Sequence, residues 1–207
     1  MHLPVAASNA RPKLVGITGG IAAGKSAARQ AFEMLGVPCL DADAVARRIH
    51  QDPAHPATLA LAKTFADWMT PDGALQRGSL QGLFARDADA NRTLIDILKP
   101  HVLAALNTWT VRQCAPYVIW ESALLLRESI VVDRVLVVDA PVRMRVARLR
   151  SRNPSWSEQH IANILAMQAT LPAANGAQAD ALHNDGSHEQ LQAQVAALHQ
   201  HYLQLWN

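Results

Sequence analysis

The sequence predicts an α/β fold in which a parallel β-sheet is flanked by helices. Short apolar runs typical of buried parallel strands alternate along the chain with stretches of helical apolar spacing. The pattern is complete once between Leu14 and Leu40, with a strand at 14–18, a helix at 26–35 and a second strand at 37–40. Such a succession favours parallel pairing, because parallel neighbours need a long crossover connection that is usually a helix.

Later segments repeat the two patterns. Further strands are predicted at 117–120, 134–138 and 181–183, and further helices at 142–152, 157–170 and 187–205. Residues 45–112 have mostly helical apolar spacing, interrupted at Thr70–Gly73, where the residue types suit a turn. We therefore expect a sheet core into which a helical subdomain is inserted.

Length, charge and cysteine content limit the class of protein. A chain of 207 residues can form one α/β domain with a small insertion, and 50% apolar with 17% charged residues is a folded composition. A net charge of +2 predicts no nucleic-acid surface, and the basic cluster at 143–152 is interpreted as phosphate chemistry. The N-terminal residues match neither a signal peptide nor a membrane anchor, and Cys39 and Cys114 form no paired motif. We expect a cytoplasmic protein that binds no membrane.

A phosphate-binding loop is predicted between the first strand and the helix that follows it. Residues 19–26, GGIAAGKS, match the pattern G-x-x-x-x-G-K-[ST] in the strand-to-helix context that the mechanism requires. Backbone N–H groups and the helix N-terminus would hold the phosphates, Lys25 would contact the β- and γ-phosphates, and the Ser26 hydroxyl would bind Mg²⁺. Mg·ATP is therefore the expected phosphoryl donor. The predicted ATP-binding residues here are Gly20, Ala22, Ala23, Gly24, Lys25, Ser26 and Ala27.

Two aspartates follow the second predicted strand. A carboxylate at this edge of the sheet could accept the proton of an acceptor hydroxyl. The alternative for either residue is that it caps the helix beginning near Ala44. Capping is favoured for Asp41, and Asp43 is the catalytic candidate.

Together with Ala46 and Arg47, these motifs resemble the opening of dephospho-CoA kinase. The likeness covers the chain except its N-terminal tail and continues through Asp72–Arg77, Leu124–Leu125, Arg134–Asp139, Arg148 with Arg152, and Ile164–Gln168. Enzymes of this family transfer the γ-phosphoryl group of ATP to the 3′-hydroxyl of the ribose of dephospho-CoA, the last step of coenzyme A synthesis.

The resemblance implies a P-loop NTPase core and a role for each matching residue. Asp43 would be the base and Lys25 and Arg148 the other catalytic residues. Arg152 would contact ATP, since an arginine fork suits phosphate oxygens. The acceptor would be held by Thr18, Asp43, Arg47 and Arg77. Arg148 and Arg152 are four residues apart on a predicted helix, so a solvated helix face is the alternative for both.

The resemblance also implies a division of the chain and a set of partners. Residues 1–13 would be a flexible tail and 14–207 one domain, with its core at 14–44, 113–149 and 181–207. A helical acceptor subdomain would occupy about 45–112 and a lid about 150–180. The partners would be ATP and dephospho-CoA, with no nucleic acid or membrane, and the enzyme would be a monomer or a small homo-oligomer.

Several positions depart from the family pattern, on the acceptor side and in the lid. They are Lys99, Glu121, Ala123, Arg127, Leu171 and Ala174. After Arg152 the sequence contains no lysine or arginine, although the family's lid carries arginines that close over the phosphates. Two alternatives therefore stay open: a catalytically weak or silent ATP-binding protein, and a nucleoside or nucleotide kinase of similar fold.

Overall fold

The computed structural model describes residues 11–76, 88–122, 130–167 and 178–206. The predictions that concern the tail at 1–10, Arg77, Ala123 to Arg127 and the lid segment at 168–177 lie outside the described residues. Two compact units are present. Residues 1–40 and 110–207 form the core unit, and Asp41–Trp109 form the helical unit.

The core unit contains a five-stranded sheet. Its strands are β1 (Lys13–Thr18), β2 (Cys39–Asp41), β3 (Tyr117–Glu121), β4 (Arg134–Asp139) and β5 (Gln178–His183), in the order β2-β3-β1-β4-β5. β1 pairs in parallel with both β3 and β4, and β4 pairs in parallel with β5. Every residue of β1 except Lys13 is buried, as expected for the central strand of a sheet covered on both faces. The predicted α/β class is confirmed.

Helices follow the predicted positions closely. They are α1 (Lys25–Met34), α2 (Ala42–Gln51), α3 (Pro56–Thr64), α4 (Ala88–Thr110), α5 (Val142–Arg152), α6 (Glu158–Met167) and α7 (His188–Trp206). α5 has the predicted bounds, and the others in the core unit agree within one residue over their described part. Within the described residues, no helix is long and apolar enough to cross a membrane.

The helical unit also contains the turn predicted at Thr70–Gly73. Gly73 has φ 84° and donates its N–H to the Thr70 carbonyl at 2.9 Å. A single antiparallel bridge joins Met69 to Leu75 on either side of this turn. A short 3₁₀ turn at Ala66–Trp68 precedes it, directly after α3.

The main hydrophobic core lies between the sheet and the helices α1 and α7. Ile17, Ile119 and Leu136 from three neighbouring strands are fully buried there. Phe32 of α1 stacks on Tyr202 of α7, with ring centroids 6.4 Å apart. Burying one large apolar side chain of this kind stabilises a fold by about 1.5–3 kcal/mol, so this packing holds α1 rigidly against the end of β1.

A network of polar side chains ties α7 to the neighbouring strands β4 and β5. The Asp180 carboxylate accepts two hydrogen bonds of 2.8 Å from Arg134 and one of 2.9 Å from the Tyr202 hydroxyl. The hydrogen bonds from Arg134 hold the pKa of Asp180 below its ordinary value, against the opposing effect of burial. Burial and the neighbouring carboxylate raise the pKa of Tyr202, so its hydroxyl remains a donor.

We expect Asp180→Asn to lower the free energy of unfolding by about 1–3 kcal/mol at pH 7, because it removes a charged acceptor from Arg134. The folded-state pKa of Asp180 is depressed, so its contribution is present above the unfolded pKa of 3.8 and is lost as the pH falls below it. Urea unfolding at pH 7 and pH 3 should therefore show a difference between wild type and variant that narrows in acid. Glu158→Gln, which alters an exposed ion pair with Arg150, is the control. An unchanged difference at pH 3 would contradict the assignment.

Candidate active site

The loop at 19–24 joins β1 to α1 through a backbone that few residue types allow. Gly19 has φ 148° and Gly24 has φ 107°, both in the left-handed region that favours glycine. A Cβ on Gly19 would lie 2.1 Å from the Val138 carbonyl oxygen, and one on Gly24 would lie 1.9 Å from Nδ2 of Asn184. The glycines of the predicted motif are therefore required by both backbone conformation and close packing.

Side chains from outside the loop hold its backbone carbonyl groups. Lys25 Nζ donates to the carbonyls of Gly19 (3.0 Å) and Gly20 (3.2 Å), and Arg145 Nε donates to that of Ile21 (2.9 Å). Arg148 Nη1 donates to the carbonyls of Ala22 (3.2 Å) and Ala23 (3.1 Å). Asn184 Nδ2 also donates to the Ala23 carbonyl (2.8 Å). Five successive carbonyls are thus engaged by side-chain donors. No side chain caps the N-terminus of α1, where helix amides bind anions. The loop is arranged to offer N–H groups and positive charge to a phosphate.

An oxygen pair lies beside the loop at the end of β3. The Ser26 hydroxyl donates to Oε1 of Glu121 at 2.8 Å, and Arg29 donates to Oε2 at 2.7 Å. Burial would lower the pKa of Arg29, but its bonds and charge contacts with Glu121 and Glu33 raise it overall, so the guanidinium is charged. A hydroxyl and a carboxylate at this spacing are ligands that Mg²⁺ prefers, and the remaining ligands of such an ion come from phosphates and water.

The two arginines that contact the loop, Arg145 and Arg148, lie one turn apart on α5. Arg148 is half-buried and also donates from Nη2 to the Asn184 carbonyl at 3.0 Å. It therefore joins the loop to the segment after β5 and does not lie on a solvated face. Arg152, the last residue of α5, is exposed. The structure brings Arg148 together with Lys25 and Ser26 and gives Arg152 no place in these contacts.

Comparison with known proteins identifies the family. The family model described as dephospho-CoA kinase (CoaE) matches residues 13–190, which include the loop, Glu121, Arg145, Arg148 and Asn184. The chain belongs to the dephospho-CoA kinase family. A dephospho-CoA kinase of Hahella chejuensis is 37% identical over 195 residues, which cover 93% of each chain.

Solved structures share the fold of this chain. The crystal structure of TT1252 from Thermus thermophilus is 30% identical, covers 92% of this chain and 98% of its own, and superposes with a TM-score of 0.75. A dephospho-CoA kinase from Campylobacter jejuni is 17% identical over 93% of this chain and 98% of its own, with a TM-score of 0.57. At that identity the second likeness shows the fold alone.

Of the acceptor-side residues implied by the resemblance to dephospho-CoA kinase, Asp43 and Arg47 lie in the helical unit. Asp41 caps α2, with Oδ1 accepting from the Ala44 N–H at 2.9 Å, so the interpretation of Asp41 as a cap is confirmed. Oδ2 of Asp41 lies 3.6 Å from Nη2 of Arg47, whose side chain is 55% exposed. Asp43 is exposed in the first turn of α2. Lys99 is half-buried within α4.

Thr18 lies at the boundary between β1 and the loop. It is fully buried, and its Oγ1 has no hydrogen-bond partner within the described residues. A buried hydroxyl without a partner is costly, and a ligand at the loop is one way to satisfy it.

Three further residues of the site were missed by the sequence predictions, namely Glu121, Arg145 and Asn184. Glu121 ends a buried strand next to β1, and its position after an apolar run is a signal that sequence reasoning could have used. Arg145 and Asn184 contact loop residues that are 124 and 161 positions away in the chain. No motif in the sequence around either residue predicts the contact.

We expect Gly24→Ala to destabilise the core unit more than Gly36→Ala. Both glycines have left-handed φ, 107° and 81°, so both substitutions cost about 1–2 kcal/mol of backbone strain. Only Gly24 also places its new Cβ against Asn184, whereas nothing lies within 4 Å of a Cβ at Gly36. Free energies of unfolding in urea would test this, and Asn184→Ala in the Gly24→Ala background should recover part of the difference. Equal costs for the two alanine variants would show that the contact with Asn184 imposes no constraint.

Proposed function

We propose that this protein transfers the γ-phosphoryl group of ATP to the 3′-hydroxyl of the ribose of dephospho-CoA, giving coenzyme A and ADP. The observation that carries the proposal is the phosphate loop with its ring of side-chain donors, in a chain that belongs to the dephospho-CoA kinase family. Catalysis of phosphoryl transfer is mostly positioning and charge stabilisation, and this loop supplies both.

The core unit would bind the donor. The triphosphate lies along the loop and against the N-terminus of α1, whose dipole favours negative charge. Lys25, now on the Gly19 and Gly20 carbonyls, exchanges these acceptors for oxygens of the β- and γ-phosphates. Arg148 keeps its hold on the loop and neutralises charge that develops as the γ-phosphoryl group moves.

Magnesium fits the pair formed by Ser26 and Glu121. The two side chains already lie 2.8 Å apart, and Arg29 fixes the orientation of the carboxylate. Bound there, the ion would offset charge on the phosphate oxygens.

The helical unit would bind the acceptor. Asp43 is the proposed base for the ribose hydroxyl, and Arg47 with Arg77 would contact the acceptor's charged groups. Asp43 is exposed in the first turn of α2, where the helix dipole favours negative charge. Residues 150–180 would form the lid, with Arg152 on the ATP side. We place this enzyme in the cytoplasm as a monomer or small homo-oligomer.

A catalytically silent ATP-binding protein is the second candidate. It is favoured by one observation, the absence of any lysine or arginine after Arg152. A phosphate-clamping arginine is worth about 10³–10⁵-fold in turnover where it has been removed or supplied. Such a protein would bind ATP without phosphorylating any acceptor.

ADP release from Mg·ATP should occur with dephospho-CoA and not with adenosine or AMP. Asp43→Asn should lower kcat by about 10²–10⁴-fold, because it removes the proton acceptor while keeping the size of the side chain. ATP affinity should stay near that of the wild type. A coupled ADP assay and equilibrium binding of a fluorescent ATP analogue measure the two quantities.

Asp67→Asn is the matched control, since Asp67 is another exposed aspartate of the helical unit. It should leave kcat unchanged. ATP binding without turnover on any acceptor would establish the silent candidate. Turnover with adenosine or AMP would establish a nucleoside or nucleotide kinase in place of the proposed function.

Glu121→Gln should raise the Mg²⁺ concentration for half-maximal turnover by about tenfold or more, because the metal loses a charged ligand. Glu33→Gln is the control. Both glutamates pair with Arg29, so both variants disturb that guanidinium, but only Glu121 touches Ser26. Magnesium titrations of the two variants that shift by the same factor would place the metal elsewhere.

A further inference from the structure

Arg145 contacts the phosphate loop, although it lies far from the loop in the sequence. It lies on α5 one turn before Arg148, and its Nε donates to the Ile21 carbonyl at 2.9 Å. This hydrogen bond orients the guanidinium beside the loop.

The outer part of the same guanidinium is unsatisfied. Nη2 of Arg145 is buried and has no hydrogen-bond partner within the described residues. In that part of the chain Arg145 also makes no ion pair, unlike Arg29, Arg134 and Arg150, which all contact carboxylates. Arg145 as a whole is half-buried, but a buried guanidinium N–H without an acceptor is costly, and an anion bound at the loop would satisfy it.

The position of Nη2 indicates which part of a bound nucleotide it would meet. A Cβ on Gly20 would lie 2.4 Å from Nη2 and 2.6 Å from Cζ, so the guanidinium rests directly against the Gly20 backbone. The Gly20 carbonyl also accepts from Lys25 Nζ at 3.2 Å. Two cations therefore meet at the first half of the loop, where Lys25 is assigned to the β- and γ-phosphates, whereas Arg148 holds the second half through Ala22 and Ala23.

We propose that Arg145 binds the terminal phosphate of ATP through Nη2 and so makes the site selective for ATP over ADP. The inference rests on the proposed function. It also explains how the site meets its charge requirement, since the sequence after Arg152 contains no lysine or arginine. Cations for the transferring phosphoryl group must therefore come from Arg152 or from residues before it. Among the described residues that contact the loop, Arg145 has a buried N–H group, at Nη2, without a partner.

A cation held ready for a phosphate has a signature that a purely structural arginine lacks. Removing it relieves the free protein of an unsatisfied buried N–H group, while it weakens binding of the ligand that would pair with that group. An arginine that only anchors the loop would do the opposite to the free protein, because its loss would release the Ile21 carbonyl and lower the unfolding temperature.

The experiment compares Arg145→Gln with wild type in binding of ATP and ADP, each without and with Mg²⁺, and in thermal unfolding of the free protein. We expect ATP affinity to fall by about 10–100-fold, the worth of a hydrogen bond between two charged groups. ADP affinity should change far less, and the unfolding temperature of the free variant should equal or exceed that of the wild type. Arg143→Gln, an exposed arginine two residues earlier on α5, is the control and should change none of these quantities.

Equal losses of ATP and ADP affinity, or a lowered unfolding temperature with the ATP-to-ADP preference intact, would overturn the proposal. Arg145→Lys provides the second variant if the glutamine variant does not fold. Lysine keeps the positive charge but lacks the forked guanidinium, so this variant should retain part of the preference for ATP over ADP. If Arg145→Lys keeps the full wild-type preference, the guanidinium geometry has no role and the assignment to Nη2 is overturned. Wild-type protein that binds neither nucleotide would instead overturn the proposed function itself.

Discussion

The site depends on the capture of the phosphate-loop carbonyls by side chains from other parts of the core unit. In the free protein the carbonyls of residues 19–23 all accept side-chain hydrogen bonds, and those of Ile21 to Ala23 keep their donors when Lys25 moves to the phosphates. The loop is thereby organised before ligand arrives, which avoids an ordering cost at the moment of binding. The glycines make this backbone possible, but the donors from α1, from α5 and from the segment after β5 hold it in place.

The strand order explains why those donors are available. β1 lies between β3 and β4, with Ile17 opposite Glu121 and Thr18 opposite Val137. The carboxyl end of β3 therefore delivers Glu121 to one side of the loop. On the other side, β4 leads into α5 and β5 leads to Asn184, whose N–H donates to the Asp139 carbonyl at 2.8 Å. Parallel strands place all of these ends at one edge, in agreement with the general position of ligand sites in open α/β sheets.

Local patterns located the five strands to within three residues, and they were sufficient for the helices of the core unit, the phosphate loop and the cap at Asp41, because each depends on neighbouring residues. β5 begins at Gln178, three residues before the predicted strand, since its first residues lie exposed or half-buried and lack an apolar pattern. Arg145 and Asn184 could not be assigned to the loop from sequence, because their contacts depend on the order of β1, β4 and β5 in the sheet. The same order is needed to place Glu121 beside Ser26.

The arginines of the core unit differ in their hydrogen-bond partners, and this difference separates arginines with a structural role from those that can bind a ligand. Arg134 meets the carboxylate of Asp180, and Arg150 meets that of Glu158, so their charge is largely cancelled. Arg145 and Arg148 instead donate to backbone carbonyls and form no ion pair within the described part of the chain. A carbonyl orients a guanidinium without neutralising it, and it is a weaker acceptor than a phosphate oxygen. The positive potential therefore remains at the loop for the ligand, and the cost of holding it there is offset only when an anion binds.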